Sequence, residues 1–456
     1  MGSYAECSLG PFCISYSKND VDPFVMGLFR AADKVVTCDL EALPAKLRDL
    51  YRGEVTGAED DPPNPKFPFV FYRVPLSVAR DRLEVRGYTL AAAREAFAEC
   101  IALELSESRQ SAQRHPELYE PHVSVLEQLT VECWQGALKQ MAEDGLPLNQ
   151  RGSTVALAGE VLQYLKDSST WYGYPGLDTN VPLRIAMEVC SECDELIYDL
   201  TDLVWSESVD PNDDFVENAL QTLANEHITN ARTVVLTEGR FDAFVLRESL
   251  ELLYPHLRDY YSFMDFESYD PEGGAAALVK QVKAFAAAGI LNKIIAVFDN
   301  DAASRDAMRS LNAIRLPSNI QIMHLPEIGF LREYPTLGPT GELKMNVNGL
   351  AASIELYLGK DVLTDPSSGD LVPVQWKGYI VAVRQYQGEV LKKKDVQERF
   401  RGKLSGAADG GVAVTSCDWE GVSLVLQRIF AAFHQQDARA IKDLIKWQYA
   451  EGYSRM

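Results

Sequence analysis

The chain has 456 residues and a formal net charge of −22, from 44 Lys and Arg against 66 Asp and Glu. This length predicts two or three domains, and an apolar fraction of 46% is enough to build their cores, which excludes wholesale disorder. The negative excess argues against a protein held on nucleic acid by counterion release. It does not exclude a nucleic-acid enzyme, because bound divalent cations can reverse the sign of an acidic site locally.

The sequence contains no feature that predicts a membrane or secreted location. No stretch approaches the roughly 20 apolar residues of a membrane-spanning helix, and the N-terminus lacks the basic start and apolar core of a secretory signal. The eight cysteines are scattered, which is typical of reduced thiols. Cys190 and Cys193 have CxxC spacing, but we place them in a helical run from Pro182 to Trp205 and expect no metal there. We therefore expect a soluble, cytoplasmic protein without a membrane partner.

Residues 1–228 are predicted to form a mostly helical α+β domain. Alternating apolar and polar residues around Gly10-Pro11 indicate a β-hairpin, and FPFVFYRV at 67–74 indicates a strand. Apolar residues at spacings of three and four then predict helices over most of 76–227, with clear runs over 90–105, 123–142 and 153–167.

The pattern changes at Ala231, where strands begin to alternate with helices. Strands are predicted around 233–237, 259–266, 292–301 and 319–328, each followed or preceded by a helix of ten or more residues. Such alternation is typical of an α/β fold with a parallel, doubly wound sheet, which we assign to residues 229–360. That segment ends with a predicted loop over 334–346 and a helix over 350–359.

Residues 361–456 are predicted to form a C-terminal α/β extension. It would contain a strand over 372–383, a basic helix over 388–404 and a long terminal helix over 419–449. No 20–50-residue period repeats along the chain.

Two strands of the α/β region end in acidic residues. TVVLT leads into Glu238, and IIAVF leads into Asp299 and Asp301. Because the carboxyl ends of parallel strands meet at one edge of a sheet, these acids should lie together, with Asp242 turning back from the next helix. Their charges would repel one another unless cations lay between them, and hard oxygen ligands suit Mg²⁺ or Mn²⁺. The pattern therefore predicts a divalent metal site, although acids at strand ends also occur in receiver-like and nucleotide-binding folds.

These residues carry a resemblance to a known fold. TEG with Asp242, and DND at 299–301, resemble the two signature motifs of the Toprim fold of topoisomerases, bacterial primases and OLD-type nucleases. The ExxxD form is most similar to the nuclease branch. The resemblance implies Glu238, Asp299 and Asp301 as catalytic residues, with Asp242 as a further metal ligand.

A second resemblance covers more of the chain. MGSYAECSLGPFCISYSKNDVDPFVMGLFR, WYGYPGLDTNVPLRIAME, VNGLAASIELYLG and YQGEVLKKK resemble segments of HEPN/Toprim-associated prokaryotic proteins. In these proteins an N-terminal domain precedes a HEPN ribonuclease or a Toprim nuclease. The resemblance implies a role in antiphage defence, with the N-terminal part as the sensor.

Further residues are predicted near the site on weaker grounds. Glu355 should lie close to the metals if the Gly-rich loop returns its segment to the sheet. Equally well, Glu355 could lie on a solvated helical face. Lys392, Lys393 and Lys394 could bind the nucleic-acid backbone, although an exposed basic helix face is the simpler interpretation. His324 is expected to be packed rather than catalytic.

The prediction is therefore an Mg²⁺- or Mn²⁺-dependent endonuclease acting on DNA or RNA in antiphage defence. One alternative is a non-catalytic sensor or adaptor with a degenerate Toprim scaffold. The other is a metal-independent HEPN-type RNase, for which Arg109 with His115, or Arg428 with His434, has the required spacing. GxxxxGK[ST] is absent from the sequence, so any nucleotide-driven control is expected to come from another protein. Because a constantly active nuclease would poison its host, we expect control by a companion defence protein, an inhibitory contact or a phage-encoded trigger. DNA or RNA specificity and homo-oligomer formation stay open.

Overall fold

The computed structural model describes residues 2–55, 68–143, 159–168, 170–191, 193–226, 231–411 and 413–450. Contacts divide the chain into two compact units, and each is described by itself. The first takes in Met1–His227 and His434–Met456, and the second is Ile228–Phe433. The three-part division made from the sequence stays a prediction about domains, and its boundary at 228 lies outside the described residues.

The first unit contains a five-stranded antiparallel sheet with the order β2-β1-β5-β4-β3. The predicted hairpin at Gly10-Pro11 and the predicted strand at 67–74 are both confirmed. The strands are β1 Tyr4–Leu9, β2 Phe12–Lys18, β3 Lys34–Thr37, β4 Phe69–Pro75 and β5 Glu195–Asp199.

The central strand β5 corrects the predicted helical run from Pro182 to Trp205. The helix there ends at Ala186, and Cys190 and Cys193 lie in the turns before β5 rather than on a helix. Residues Leu196–Asp199 are buried between β1 and β4, so pairing with distant strands outweighs the local apolar spacing.

Helices cover much of the rest of the first unit, as predicted. They surround a large apolar core that includes Phe97 and the fully buried Trp134. The predicted run over 123–142 is two helices, because the chain leaves helical geometry at Leu129. The next predicted run, 153–167, is a helix from Glu160 onward, and its first part, 153–158, lies outside the described residues. The helices are α1 Pro23–Met26, α2 Ala45–Val55, α3 Leu76–Val85, α4 Leu90–Ala112, α5 Pro116–Gln128, α6 Val131–Glu143, α7 Glu160–Asp167, α8 Asn180–Ala186, α9 Thr201–Trp205 and α10 Phe215–Glu226.

The second unit begins with a parallel four-stranded sheet of order β10-β8-β6-β7, which confirms the predicted mixed α/β class. Apolar residues of its strands and of the intervening helices, such as Ile294, Phe298 and Val282, form the core. The strands of this sheet are β6 Thr233–Thr237, β7 Tyr261–Phe263, β8 Ile294–Phe298 and β10 Ile320–His324, and the short strand β9 Asn300–Asp301 lies outside it. The helices are α11 Arg240–Leu253, α12 Phe266–Tyr269, α13 Ala275–Ala287 and α14 Ala302–Asn312.

A second sheet of order β12-β11-β14-β15 follows, and it corrects two predictions. The predicted loop over 334–346 is a hairpin whose turn uses Gly341 at a φ of 103°, a conformation that glycine adopts without steric cost. The predicted helix over 350–359 is a short strand followed by a 3₁₀ turn at Ile354–Tyr357. The strands of this sheet are β11 Tyr334–Gly338, β12 Gly341–Met345, β14 Val374–Ile380 and β15 Gln385–Val390, while β13 Ala351–Ala352 pairs with β9.

The helices after this sheet also differ from their predicted limits. The predicted basic helix starts later, at Lys393, because the residues before it belong to β15. The predicted terminal helix is two helices, interrupted after Phe430. The helices are α15 Lys360–Leu363, α16 Lys393–Ala408, α17 Glu420–Phe430 and α18 His434–Ala450.

Candidate functional site

The two acidic motifs meet at one edge of the parallel sheet. Strands β6 and β8 are hydrogen-bonded neighbours in parallel register, with Thr237 opposite Val297. Glu238 directly follows the last residue of β6, and Asp299 directly follows Phe298, the last residue of β8, so both emerge at the same edge. The backbone N–H of Asp299 donates a hydrogen bond to Glu238 Oε1 at 2.9 Å. The sheet thus brings together acids that lie 61 residues apart.

A serine that the sequence analysis missed joins the two motifs. Ser304 is completely buried, and its hydroxyl donates to Glu238 Oε1 at 2.5 Å. Its backbone N–H donates to Asp301 Oδ1 at 2.8 Å, so Asp301 caps the N-terminus of α14. The cap itself had a signal, because an Asp directly before a helix commonly accepts from a backbone N–H of the first turn, but the contact of the Ser304 hydroxyl with Glu238 had none.

Asp242 lies in the first turn of α11 and faces the other carboxylates. Burial raises its pKa to about 7, and repulsion by Glu355 and Glu238 contributes to the rise. Burial also raises the pKa of Asp299 well above its usual range, followed by repulsion from Asp242 and Glu238. The ionised forms of both groups are therefore disfavoured when no compensating charge is present.

Glu355 reaches the same cluster from the 3₁₀ turn after β13. Its side chain is completely buried and accepts hydrogen bonds from Ser353 Oγ at 2.7 Å and Gln397 Nε2 at 2.8 Å. Lys393 Nζ lies 3.1 Å from Glu355 Oε1. The sequence analysis placed Glu355 near the acids but missed Gln397, which lies 42 residues away in the chain.

The three predicted lysines have different surroundings. Burial alone would lower the pKa of Lys393, but attraction to Glu355, and more weakly to Asp299 and Asp242, leaves that pKa raised. Lys392 instead forms an ion pair with Asp365 at 2.8 Å, and Lys394 is exposed at the start of α16. The structure therefore brings only Lys393, among these three, into the carboxylate cluster.

His324 is half-buried at the end of β10, as expected for a packed residue. Its Nδ1 lies 2.9 Å from the backbone oxygen of Asp299. Because a carbonyl oxygen can only accept, Nδ1 carries the proton and donates. Burial lowers the pKa of this imidazole, which favours the neutral ring. His324 thereby holds the backbone of the Asp299 turn.

The cluster suits a divalent cation by its chemistry. Five carboxylates, from Glu238, Asp242, Asp299, Asp301 and Glu355, offer the hard oxygen ligands that Mg²⁺ and Mn²⁺ prefer, and Lys393 supplies a single positive charge. Within the described residues, however, no three His, Cys, Asp or Glu side chains are arranged as a ready metal-binding group. Glu238 and Asp301 each direct an oxygen to internal hydrogen bonds instead.

The Arg and His pairs predicted for a HEPN-type site do not share a helix. Arg109 lies near the end of α4, where it pairs with Glu127 at 2.7 Å, whereas His115 immediately precedes α5. Arg428 lies in α17, which ends at Phe430, and His434 begins α18. The single helix assumed for the second pair was wrong, since the chain turns at residues 431–433.

Comparison with known protein families finds a match over about half of the chain. In the part that the structure describes, no helix is long and apolar enough to cross a membrane. Neither the curated proteins nor the solved structures contain a match to this chain. The predicted resemblance of the N-terminal region is confirmed: residues 1–222 match the family model described as HEPN/Toprim N-terminal domain 1.

Proposed function

We propose that the chain is a metal-dependent endonuclease that cleaves phosphodiester bonds in DNA or RNA. The observation that carries the proposal is the meeting of Glu238 and Asp299 at adjacent ends of parallel strands, within a buried group of five carboxylates. The N-terminal family match supports a nuclease-associated protein. The assignment of residues 229–360 as a Toprim domain is part of this proposal.

The acidic residues would hold Mg²⁺ or Mn²⁺ against the substrate. Glu238, Asp242, Asp299 and Asp301 are the proposed ligands, with Glu355 as a further one. Such an ion, when bound, neutralises the phosphate charge and lowers the pKa of a coordinated water. Ser304 would orient Glu238 through the bond at 2.5 Å, and His324 would hold the Asp299 backbone. These contacts limit the movement of two proposed ligands.

Lys393 is proposed to bind substrate next to the acids. It is the one predicted lysine that contacts the cluster, and its side chain is 42% exposed, so a phosphate could approach it from solvent. A cation in this position offsets part of the repulsion between the acids and a phosphodiester. Lys392 and Lys394 would contribute through longer-range attraction to the backbone.

The wider biological role is proposed from the resemblance alone. We propose a cytoplasmic enzyme of antiphage defence whose N-terminal unit senses a phage-encoded trigger or a companion protein. A constantly active nuclease would damage its own host, so control of this kind is expected. Formation of a homo-oligomer is compatible with that control.

A nuclease assay with matched variants tests the proposal. Purified chain is incubated with DNA and RNA in Mg²⁺, in Mn²⁺ and in EDTA, alongside Glu238→Gln, Asp299→Asn and the control Asp306→Asn. Asp306 is another acid of the same unit, on α14, and it pairs with Arg309 at 3.5 Å. We expect cleavage only with metal, lost by about 100-fold or more in the first two variants and retained in the control.

The other outcomes identify the alternative functions. Cleavage that persists in EDTA and disappears in His434→Ala would indicate a HEPN-type RNase. Absence of cleavage together with absence of Mn²⁺ binding by calorimetry would indicate an adaptor. The adaptor is favoured by one observation, namely that Glu238 and Asp301 already direct oxygens to internal hydrogen bonds. Equal cleavage by wild type and Asp299→Asn would show that the acidic cluster is not the active site.

A further inference from the structure

The hairpin of β14 and β15 exposes a pair of tyrosines. Tyr379 and Tyr386 are opposite each other in the antiparallel register, so they lie on the same face. Their ring centroids are 5.1 Å apart, and 50% and 58% of the two residues is exposed. Large aromatic residues are usually covered in a folded protein, so an exposed pair of this kind is a candidate binding surface.

The same face of the hairpin lies against the acidic site. Gly388 is two residues from Tyr386 along β15, and alternate residues of a strand share a face. A Cβ added to Gly388 would lie 3.0 Å from the Cβ of Ala351, so β15 passes very close to β13 there. Ala351 in turn pairs with Asp301 in the register of β13 and β9. At about 3.3 Å per residue along a strand and roughly 5 Å between paired strands, these steps place Tyr386 within roughly 20 Å of Asp301.

The hairpin also carries positive charge in a strongly acidic chain. Residues 374–394 contain five Lys and Arg and a single acid, Glu389, whereas the whole chain has a net charge of −22. Part of this charge is offset, because Lys377 lies 3.4 Å from Glu389. The segment ends in the lysines at the start of α16, where Lys393 contacts Glu355. Lys392 is likewise paired with Asp365 at 2.8 Å. The segment from the tyrosines to the carboxylate cluster therefore carries a net positive charge, part of which is neutralised locally.

We propose that Tyr379 and Tyr386 stack an unpaired base of the substrate, so that the site acts on single-stranded nucleic acid or on unpaired nucleotides. This inference rests on the proposed nuclease function and adds the substrate class to it. Aromatic rings next to basic residues bind single strands through base stacking and backbone attraction. In a duplex the base faces are stacked on one another and are not available to a protein ring.

A binding assay that prevents cleavage tests the stacking surface. All proteins carry Asp299→Asn, and binding of labelled single-stranded and duplex oligonucleotides is followed by fluorescence anisotropy with Mn²⁺ present. Stacking on an aromatic side chain contributes roughly a 5- to 150-fold change in affinity per base. We expect Tyr386→Ala to weaken single-strand binding by an amount in this range, Tyr386→Phe to preserve it, and duplex binding to be weaker and unaffected by either change.

A second tyrosine pair, with one exposed ring, provides the matched control. Tyr16 is 58% exposed and stacks on Tyr4 with centroids 4.6 Å apart in the first unit. Tyr16→Ala should leave single-strand affinity within about twofold. A comparable loss in Tyr16→Ala and Tyr386→Ala, or unchanged affinity in Tyr386→Ala, overturns the inference. Conversion of a dimer to a monomer by Tyr386→Ala, with oligonucleotide binding unchanged, would identify the surface as a contact between copies and would also overturn it.

The nuclease proposal and the stacking proposal can fail separately. Selective single-strand binding through Tyr386 in a chain that never cleaves would remove the nuclease function and keep the binding surface. Metal-dependent cleavage with the same preference for single strands in wild type and Tyr386→Ala would keep the nuclease and remove the stacking role.

Discussion

Replacing Asp242 by Asn should stabilise the metal-free protein. Burial and repulsion by Glu355 and Glu238 raise the pKa of Asp242 from 3.8 to about 7. A raised pKa means that the folded state binds the proton more tightly than the unfolded state, so stability falls as pH rises from about 4 through about 7. Above that range the ionised Asp242 side chain bears the full free-energy cost of burial and repulsion. The neutral Asn side chain does not bear this cost.

The size of this effect follows from the pKa difference. About three pKa units correspond to about 4 kcal/mol, and relaxation of a half-buried site should reduce this to roughly 1–3 kcal/mol. We expect Asp242→Asn to raise the thermal midpoint of the protein in EDTA at pH 8, with the gain disappearing near pH 4. The control Asp306→Asn, at an acid paired with Arg309 on α14, should change the midpoint little at either pH.

Metal should stabilise wild type more than Asp242→Asn. A ligand that binds the folded state raises its stability, so Mn²⁺ should raise the midpoint of wild type and have little effect on Asp242→Asn. Because protons compete with the ion for the carboxylates, the wild-type midpoint shift caused by Mn²⁺ should grow between pH 5 and pH 8. A variant that is less stable than wild type in EDTA at pH 8, or that retains the full Mn²⁺ shift, would refute the electrostatic account of the site.

Three further substitutions test other contacts. Ser304→Ala removes the hydroxyl that donates to Glu238 at 2.5 Å, so it should cost about 1–3 kcal/mol in a denaturant titration and reduce nuclease activity. Tyr51→Phe removes the hydroxyl that donates to buried Asp199 at 2.6 Å. Because burial raises the pKa of Asp199, the stability linked to this carboxyl is lost as pH rises, and the Tyr51 bond opposes that loss by stabilising the ionised form. The substitution should therefore cost more stability at pH 8 than at pH 5. Gly388→Ala should lower the thermal midpoint through a loss of about 1–3 kcal/mol, because the added Cβ would lie 2.6 Å from the nearest side-chain carbon.

The proximity of the strand-end acids could be predicted from the sequence because it depends on local patterns. Apolar runs of five residues, TVVLT and IIAVF, form buried or partly buried strands, and alternation with helices makes their sheet parallel. Once β6 and β8 are parallel neighbours, Glu238 and Asp299 must leave at the same edge. The proximity of these acids is therefore a consequence of sheet geometry, and it needed no knowledge of side-chain packing.

Other features depend on partners that are distant in sequence. The apolar spacing before and within β5 resembles a helix, and only its pairing with β1 and β4 makes Glu195–Asp199 a strand. The hairpin of β11 and β12 was predicted as a loop because Pro and Gly are frequent there, although Gly341 simply forms its turn. Composition indicated a turn in that segment but not the strands on each side of it.

The proposed ligands also differ in whether local or distant contacts position them. Glu238, Asp242, Asp299 and Asp301 are positioned by strands of the parallel sheet and the helices that follow them, so substitutions at these residues act on the ligands directly. Glu355 is positioned by the β13 turn and by two residues of α16, Lys393 and Gln397. A change in α16 therefore alters the charge balance of the cluster without touching the strand ends. Burial raises the pKa of Glu238 and of Asp242, and attraction to Lys393 lowers it in opposition. Removing Lys393 should therefore raise the demand of the cluster for a metal ion or for protons, so α16 contributes to the acidity of the site.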